Sequence, residues 1–469
     1  MSDTKEIVYL NAKLNKENKA LQHEVEQLKL ELEQLKSQNE EFKNTLAKVP
    51  EELLPKEVKS AMQAKTLRFK MATVLYLDIQ GFKKIAEERN SDEVIDELDQ
   101  ILFHFDQVVV KHNIEKIRTV GDAYMCAGGV PIKNNTNPLD VVLAALEMQE
   151  YLKNLKVEYE KAGRPFWDLK LGIHTGPVTA TVRGKKKLSY DLSGEAVNIA
   201  TRMATSSDLG KINISDMTHV LVQGYFVCKH HGKIPVKYQG SMDMYFIKRI
   251  KPAYSEDRKQ GIFPNRIFKT RYLLRQFNDL QEIILDRLGK ELPSYLYYHD
   301  VRHTIDVVNQ AELIGIGEGV DDESILLLKT AALFHDMGHI ISYDEHEYHG
   351  TQIAREMLPN YHYTNEQIDE ICRIIMATKM PPDPKDLLEK IICDSDLDYL
   401  GRRDFISVSN TLYDELKEQN KIGSLNDWNK LQVMFLTKHQ FYTNTSQKLR
   451  TVNKQSQIDR IKELIVEDE

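Results

Sequence analysis

The sequence is poor in cysteine and carries no excess of positive charge. Its four cysteines, Cys126, Cys228, Cys372 and Cys393, lie in apolar contexts without Cys-x-x-Cys spacing. They read as reduced core thiols rather than a disulfide framework, which fits a cytoplasmic chain. Basic residues number 63 against 71 acidic ones, a net charge of −8. That balance disfavours a nucleic-acid or anionic-membrane partner. No apolar run reaches the roughly 18 residues of a membrane span, so none is expected. The N-terminus is polar and acidic and lacks the apolar stretch of a signal peptide. Residues 6–48 contain neither Gly nor Pro.

What fills that stretch is a heptad pattern. Leu14, Leu21, Leu28, Leu35 and Phe42 recur every seventh residue, and Val25, Leu32 and Leu46 fill the second apolar position. Asn11, Asn18 and Asn39 occupy that second position too, which favours a parallel two-stranded register. The expectation for residues 1–48 is a parallel coiled coil that makes a homodimer. The alternative is one amphipathic helix packed on the chain's own core. Pro50 and Pro55 break the helix, and a connector helix is expected over 49–69.

A chain of 469 residues implies more than one core. From 70 to 248, short strands alternate with helical runs, which predicts an α/β (α+β) domain. Strands are expected at 71–77, 114–120 and 168–174, and helices over 82–112 and 138–161. A hairpin is expected at Gly176–Asp191, followed by a helix over EAVNIATRMATSS. Residues 249–268 are polar with Pro and Gly and read as a linker. Helical periodicity dominates 269–469, so the last domain is expected to be all-α. Gly315–Gly319 (GIGEG) follows no strand and reads as a helix–helix turn rather than a phosphate loop.

Two carboxylates stand at the ends of two predicted strands, each near a glycine: Asp78 in VLYLDIQGF and Asp122 in TVGDAY. Carboxylate oxygens converging on one point suit Mg²⁺, which takes one or two carboxylates plus phosphate oxygens. Asn198 and Arg202, four apart on a predicted helix, share one face. Such a pair can hold a ring oxygen and a phosphate oxygen. Lys237 could add positive charge for a triphosphate.

The segment 53–248 resembles the catalytic domain of the class III nucleotidyl cyclases. The resemblance rests on five motifs in order: LLPKEVKSAM, LYLDIQGF, KIRTVGDAYM, LGIHTGPV and YDLSGEAVNIATRM. It implies that Asp78 and Asp122 bind two Mg²⁺ or Mn²⁺ ions, with the Ile79 carbonyl assisting. It implies that Asn198 orients the ribose, Arg202 stabilises the transferring phosphoryl group, and Lys237 holds the terminal phosphates. In such cyclases the aspartates and the Asn/Arg pair of one site come from different protomers. Arg118 and Asp191 stand at the base-reading positions. Asp191 can accept from the adenine amino group, and Arg118 is only a donor, which suits an unprotonated adenine nitrogen. Both indicate ATP. The longer, forked Arg, where adenylate-specific members carry Lys, also suits a narrower pocket for a pyrimidine.

The C-terminal half has a second cluster. YYHDVRH places His299 and His303 four apart on a predicted helix. LFHDMGH holds His335 and Asp336, followed by His339; YDEHEYHG holds His346 and His349; IICDSDLDYLGR holds Asp394, Asp396 and Asp398. Histidine and carboxylate without cysteine suit a catalytic divalent transition metal of the Mn, Fe or Zn class. This half resembles the HD-type metal-dependent phosphohydrolases, and YYHDVRHTIDVV also resembles a stretch of cyclic-nucleotide phosphodiesterases. The resemblance implies that His303, His335, Asp336 and Asp396 bind a first metal, with Asp394 the alternative to Asp396. Asp336 would bridge to a second metal, held by His346 or else His349, and His299 would protonate the leaving oxygen. ATKMPPDP lacks the further histidines of many binuclear members, and no GYP segment follows.

The expected protein is therefore multidomain, with adenylate cyclase activity and an HD phosphohydrolase on one chain. The alternative is an HD phosphohydrolase gated by a nucleotide-sensing cyclase domain.

Overall fold

The structure, a computed structural model, describes residues 66–80, 91–120, 123–183, 189–236, 240–257 and 260–466. The heptads, most of the expected connector helix, Asp122 and Lys237 lie outside those residues. The chain divides into two bodies, and the larger comprises 68–179 and 192–466. The smaller includes the described residues 66–67, 180–183 and 189–191.

Strand β1 (Thr66–Gln80) begins inside the range expected for the connector helix and continues past Asp78. Its first half alternates exposed Thr66, Arg68 and Lys70 with less exposed Leu67, Phe69 and Met71, a period of two that only a strand satisfies. Its second half is buried almost throughout, as a strand covered on both faces should be. Around it run α1 (Ser91–Lys111), β2 (Glu115–Val120), β3 (Ala123–Gly128), α2 (Asn137–Lys161), β4 (Asp168–Arg183) and β5 (Ser189–Ser193). Then come α3 (Glu195–Thr205), β6 (Lys211–Ser215), α4 (Asp216–Val222), β7 (Phe226–Val236) and β8 (Gly240–Ile250). The described strands form one mixed sheet in the order β2-β3-β1-β4-β6-β8-β7, with β5 paired to β4. The antiparallel register sets Thr73 opposite Gly128 and Asp78 opposite Ala123. Helices α1 and α2 cover the sheet and fill its main core with Phe105, Val108, Leu139 and Val142.

Helix α3 crosses β4 where Gly172 stands. A Cβ there would come within 2.0 Å of the Ala204 backbone nitrogen, so only glycine allows this approach.

The expected linker region carries ordered structure. It contains a bridge between Ser255 and Pro264 and the start of α5 (Arg266–Glu291), capped by Asn265. Phe268, in the first turn of α5, belongs to the core of the sheet domain. Leu273, Phe277, Leu280, Ile284 and Leu288 of the same helix belong to the core of the helical domain. One helix therefore serves two cores.

The helical domain continues with α6 (Val301–Glu318), α7 (Asp322–Phe334), α8 (His346–Met357), α9 (Asn365–Met376) and α10 (Leu387–Asp396). It ends with α11 (Phe405–Glu418), α12 (Leu425–Lys438) and α13 (Asn444–Lys462). Most of α7 from Ile325 to Phe334 is buried, so this helix is enclosed by its neighbours. The GIGEG run is not a whole turn. Gly315 and Gly317 are helical, and only Gly319, at φ +76°, ends α6. Gly315 is small because a Cβ there would meet Ile325 of α7 at 2.7 Å.

Where α5 meets α2, Asp140 is buried and accepts from Tyr272 (2.8 Å) and Thr136 (2.9 Å). Burial outweighs these bonds and raises its pKa to about 7. The folded state thus binds a proton that the unfolded chain releases near pH 4. The stabilisation is complete below that pH and is lost as pH rises through 7. Three pH units correspond to about 4 kcal/mol. Relative to Asp140→Asn, the wild-type chain is expected to lose stability between pH 4 and 7, measured by denaturant unfolding. Parallel curves for the two proteins would refute this assignment.

Candidate metal centre and nucleotide face

In the helical domain, three helices deliver four side chains to one place. Helix α6 brings His303, α7 ends at His335, Asp336 follows it, and α10 brings Asp396. The ligand atoms of His303, His335 and Asp396 all lie within 4.8 Å of one another. The two Nε2 atoms of His303 and His335 are 3.3 Å apart. Nitrogens bound to one ion at about 2.1 Å fall at roughly this separation. His335 Nδ1 lies 2.8 Å from the Ala332 carbonyl, which orients the ring with Nε2 facing the cluster.

Asp336 stands between two groups. Its Oδ2 is 3.1 Å from His335 Nε2 and 3.4 Å from His303 Nε2. Its Oδ1 is 3.6 Å from His346 Nε2 and 3.9 Å from His339 Nε2. Asp336 Oδ2 and both ring nitrogens of His339 are buried without a hydrogen-bond partner. Orphaned polar atoms in an apolar interior are costly, and a metal is the ligand that would satisfy this donor set. The donor sets fit divalent ions: His303, His335 and Asp396 would hold one, and Asp336, His339 and His299 lie close enough to hold another.

The local sequence explains the geometry. The backbone leaves the helix at Asp336 and makes a short turn over Met337–Ile340. Gly338 permits that turn to press against the start of α8; a Cβ would come within 1.9 Å of the His346 carbonyl oxygen. That contact places His346 beside Asp336. His346 Nδ1 is held by the Tyr343 carbonyl at 3.1 Å, leaving Nε2 for the site.

The charges are mutually dependent. Burial works against charge on His335, but the Asp336 and Asp396 carboxylates outweigh it and hold its pKa well above the ordinary value. Burial likewise opposes ionisation of Asp336 and Asp396, and the surrounding histidines reverse the effect and lower both. Burial pushes His339 down to about 2, so its imidazole is neutral.

His299 faces the same place. Its Nδ1 lies 2.6 Å from Oε1 of Glu415 on α11, whose Oε2 accepts from the backbone of Tyr298 and His299. Burial lowers the His299 pKa, but the Glu415 bond and the Asp336 charge outweigh it, so the net shift is upward. A protonated imidazole aimed at a metal centre can donate to a leaving oxygen.

The two alternatives left by the sequence separate on geometry. Asp396 Oδ1 is 3.1 Å from His303 and 3.5 Å from His335. Asp394 is turned away, accepting from Tyr442 N (2.9 Å), Thr443 N (2.8 Å) and Thr443 Oγ1 (2.7 Å) at the start of α13. His346 points at Asp336, whereas His349 packs against Tyr348. His339 and Glu415 are the site residues that sequence reasoning passed over. His339 was visible, three residues after Asp336; Glu415, 116 residues from His299, left no local signal.

In the sheet domain, Asp78 is half-buried on β1, and its Oδ2 accepts from Gln80 Nε2 at 2.5 Å. Ile79 beside it is buried in the core. Asn198 and Arg202 are exposed on one face of α3, whose other face buries Val197, Ile199, Ala200 and Met203. Arg202 donates to the Pro235 carbonyl at 2.7 Å. Arg118 is exposed on β2, and Asp191 on β5 belongs to the smaller body. His174 is structural: it is buried mid-strand in β4, with Nδ1 2.7 Å from Ser215 Oγ.

This geometry sets a test. His335→Ala and Asp396→Asn are each expected to weaken Mn²⁺ binding about 100-fold or more, measured by calorimetry. Asp394→Asn should leave Mn²⁺ affinity unchanged while lowering the melting temperature. The opposite pattern would make Asp394 the ligand.

Residues 64–249 match the family model described as "Adenylate and Guanylate cyclase catalytic domain", and residues 300–398 match the "HD domain" model. Guanylate cyclase 32E of Drosophila melanogaster is 33% identical over 193 residues, 40% of this chain and 16% of that protein. An adenylate cyclase of Mycobacterium tuberculosis is 32% identical over 197 residues, 42% of this chain and 44% of that protein. The chain thus spans less than half the length of these relatives. The crystal structure of the adenylyl cyclase CyaB from P. aeruginosa aligns with 26% identity and a TM-score of 0.37, covering 42% of this chain and 98% of that one. No described helix is long and apolar enough to cross a membrane. The chain joins an adenylate and guanylate cyclase catalytic domain to a C-terminal HD domain.

Proposed function

We propose that the chain converts ATP to 3′,5′-cyclic AMP and pyrophosphate as a homodimer in the cytoplasm, and that its HD domain hydrolyses a cyclic nucleotide. The observation that carries the first half is the exposed Asn198–Arg202 face of α3, in a domain matched by the cyclase family model. A pair that serves a site within its own chain has no need to face outward. A pair that completes a site on a second copy does, and the heptads of residues 1–48 would hold that copy in register. Asp78 and Asp122, with the Ile79 carbonyl, would hold two Mg²⁺ or Mn²⁺ ions. Such ions acidify the ribose 3′-hydroxyl and neutralise the triphosphate. Asn198 then positions the ribose, Arg202 stabilises the developing phosphoryl charge, and Lys237 holds the outer phosphates. Arg118 and Asp191 read the adenine edge. The four free thiols fit a reducing compartment.

For the HD domain, the supporting observation is a cavity of 530 Å³ that reaches His299, His346 and Asp396. Its far walls are apolar, with Leu400, Phe405, Trp428 and Phe435 among them. Gln432 lies among these residues, its amide oxygen accepting from Ser409 Oγ at 2.5 Å, and Ser409 Oγ accepts in turn from Trp428 Nε1. Aromatic walls suit the faces of a purine, and an oriented amide suits its edge, which both donates and accepts. A base seated there would direct its phosphate toward the histidines. The bound divalent ions would activate water and polarise the phosphate. Held by Glu415, His299 supplies the proton to the leaving ribose oxygen.

A second reading makes the cyclase domain a nucleotide sensor that gates the HD domain. It is favoured by the contrast between an HD cluster gathered within one chain and cyclase residues that face outward.

Purified full-length protein incubated with ATP, GTP, CTP or UTP and Mn²⁺ separates the two. Cyclic AMP from ATP is expected, falling by about 100-fold or more in Asp78→Ala or Asp122→Ala. No cyclic product from any triphosphate would leave the sensor reading. Cyclic AMP should yield 5′-AMP, and His335→Ala should abolish that product.

A further inference from the structure

Two hydrogen-bonded groups, a partly buried one on α5 and a fully buried one on β1, are joined through the backbone at the start of α2 and link the helix shared by the two domains to the strand that carries Asp78. The path begins on α5. Asp279 accepts from both the backbone and side-chain nitrogens of Asn135, each at 2.8 Å. Arg275 donates to the Asn135 carbonyl (2.7 Å) and the Leu221 carbonyl (3.2 Å). Tyr272 donates to Asp140 and to Thr136. These groups clamp the N-terminus of α2.

The first residue of α2, Asn137, carries the path inward. Its Nδ2 donates to the Asn134 carbonyl at 2.6 Å, and its Oδ1 accepts from Thr73 Oγ1 of β1 at 2.6 Å. Thr73 pairs in turn with Thr175 of β4 at 2.9 Å, and Thr175 with Thr218 at 3.1 Å. Thr73, Asn137 and Thr218 are completely buried, and Thr175 nearly so. Glycines make the approach possible: a Cβ on Gly128 would meet Asn137 at 2.9 Å. Five residues along β1 from Thr73 is Asp78. At the other end, α5 packs on α7, the helix that terminates in His335 and Asp336.

We propose that this path couples the two metal centres, so that occupancy of the cyclase site changes the affinity of the HD centre and the reverse. The proposal rests on the functional reading above. It is physically specific. A buried hydroxyl–amide chain has few alternative pairings, because any displaced member becomes an unsatisfied polar group. A shift of β1 on nucleotide binding must therefore move Asn137 or break its bond to Thr73. Either event reaches α5 through Asn135, Thr136 and Asp140. By linkage, the factor by which one ligand alters the other's affinity is the same in both directions.

The test uses the full-length chain in saturating Mg²⁺ and two probes, Mn²⁺ for the HD centre, with the HD signal taken as the part lost in His335→Ala, and α,β-methylene-ATP for the cyclase site. Calorimetry gives the Mn²⁺ affinity of the HD centre with and without the analogue. In the wild type the two values should differ by about fivefold or more. In Thr73→Val and in Tyr272→Phe the factor should fall to within about twofold of one, with each ligand still binding alone as in the wild type. A purely structural role would lower the melting temperature of these variants and leave the factor intact, which overturns the proposal. So does a wild-type factor of one when both ligands bind. Failure of the analogue or of Mn²⁺ to bind at all overturns the functional reading instead, and the coupling with it.

Discussion

Asp336 is buried in the helical domain with the half-buried Asp396 beside it, and burial opposes the charge of both. Transfer of a bare charge from water into an apolar interior costs far more than a domain's whole net stability. The surrounding histidines, and the metals they fit, are the condition under which this core can close. The bundle is arranged to meet it. Helix α7 is buried along most of its length and so has one position available, which fixes His335 and Asp336 at its end. Glycine at 338 lets the following turn touch α8. Asp394 ties α10 to the start of α13.

The sheet domain solves the opposite problem. Helix α3 keeps Asn198 and Arg202 in solvent, where their polarity costs little, and packs only through its apolar face. Gly172 brings that helix hard against β4, so the exposed pair is held rigidly although it is not buried. Rigid and outward is the arrangement a residue needs to complete a site across an interface. The HD centre is preorganised by enclosure, and the cyclase face is preorganised by its support.

Much of this was legible in residue order. The apolar run before Asp78, the i,i+4 pair on α3 and the His335–Asp336 doublet are local patterns, and local patterns survive in sequence. What was not legible depended on distant contacts. Glu415 is an ordinary acidic residue in an ordinary amphipathic helix, and only the fold brings it to His299. Gln432 and Trp428 are likewise unmarked until α12 closes over the cavity. The ordered structure of residues 249–268 was hidden for a related reason. The Pro, Gly and polar residues of this stretch are those of a flexible segment, yet Phe268 at its end is captured by a core assembled far earlier in the chain. The glycines of GIGEG were read as a turn because sequence cannot distinguish a glycine needed for φ from one needed for closeness.

The contact between α5 and the start of α2 is polar where it could have been apolar. Replacing buried ionic and hydrogen-bonded groups with apolar ones of similar volume is often neutral or stabilising. Stability alone therefore does not account for Asp279, Arg275, Tyr272 and Asp140 at the end of α2. Directional bonds do something that apolar packing does less well: they penalise every arrangement but one. An apolar junction would let α5 slide by fractions of a turn at small cost. This junction leaves an orphaned carboxylate or amide for each such step. A joint with few states is the kind through which a change at one end is felt at the other.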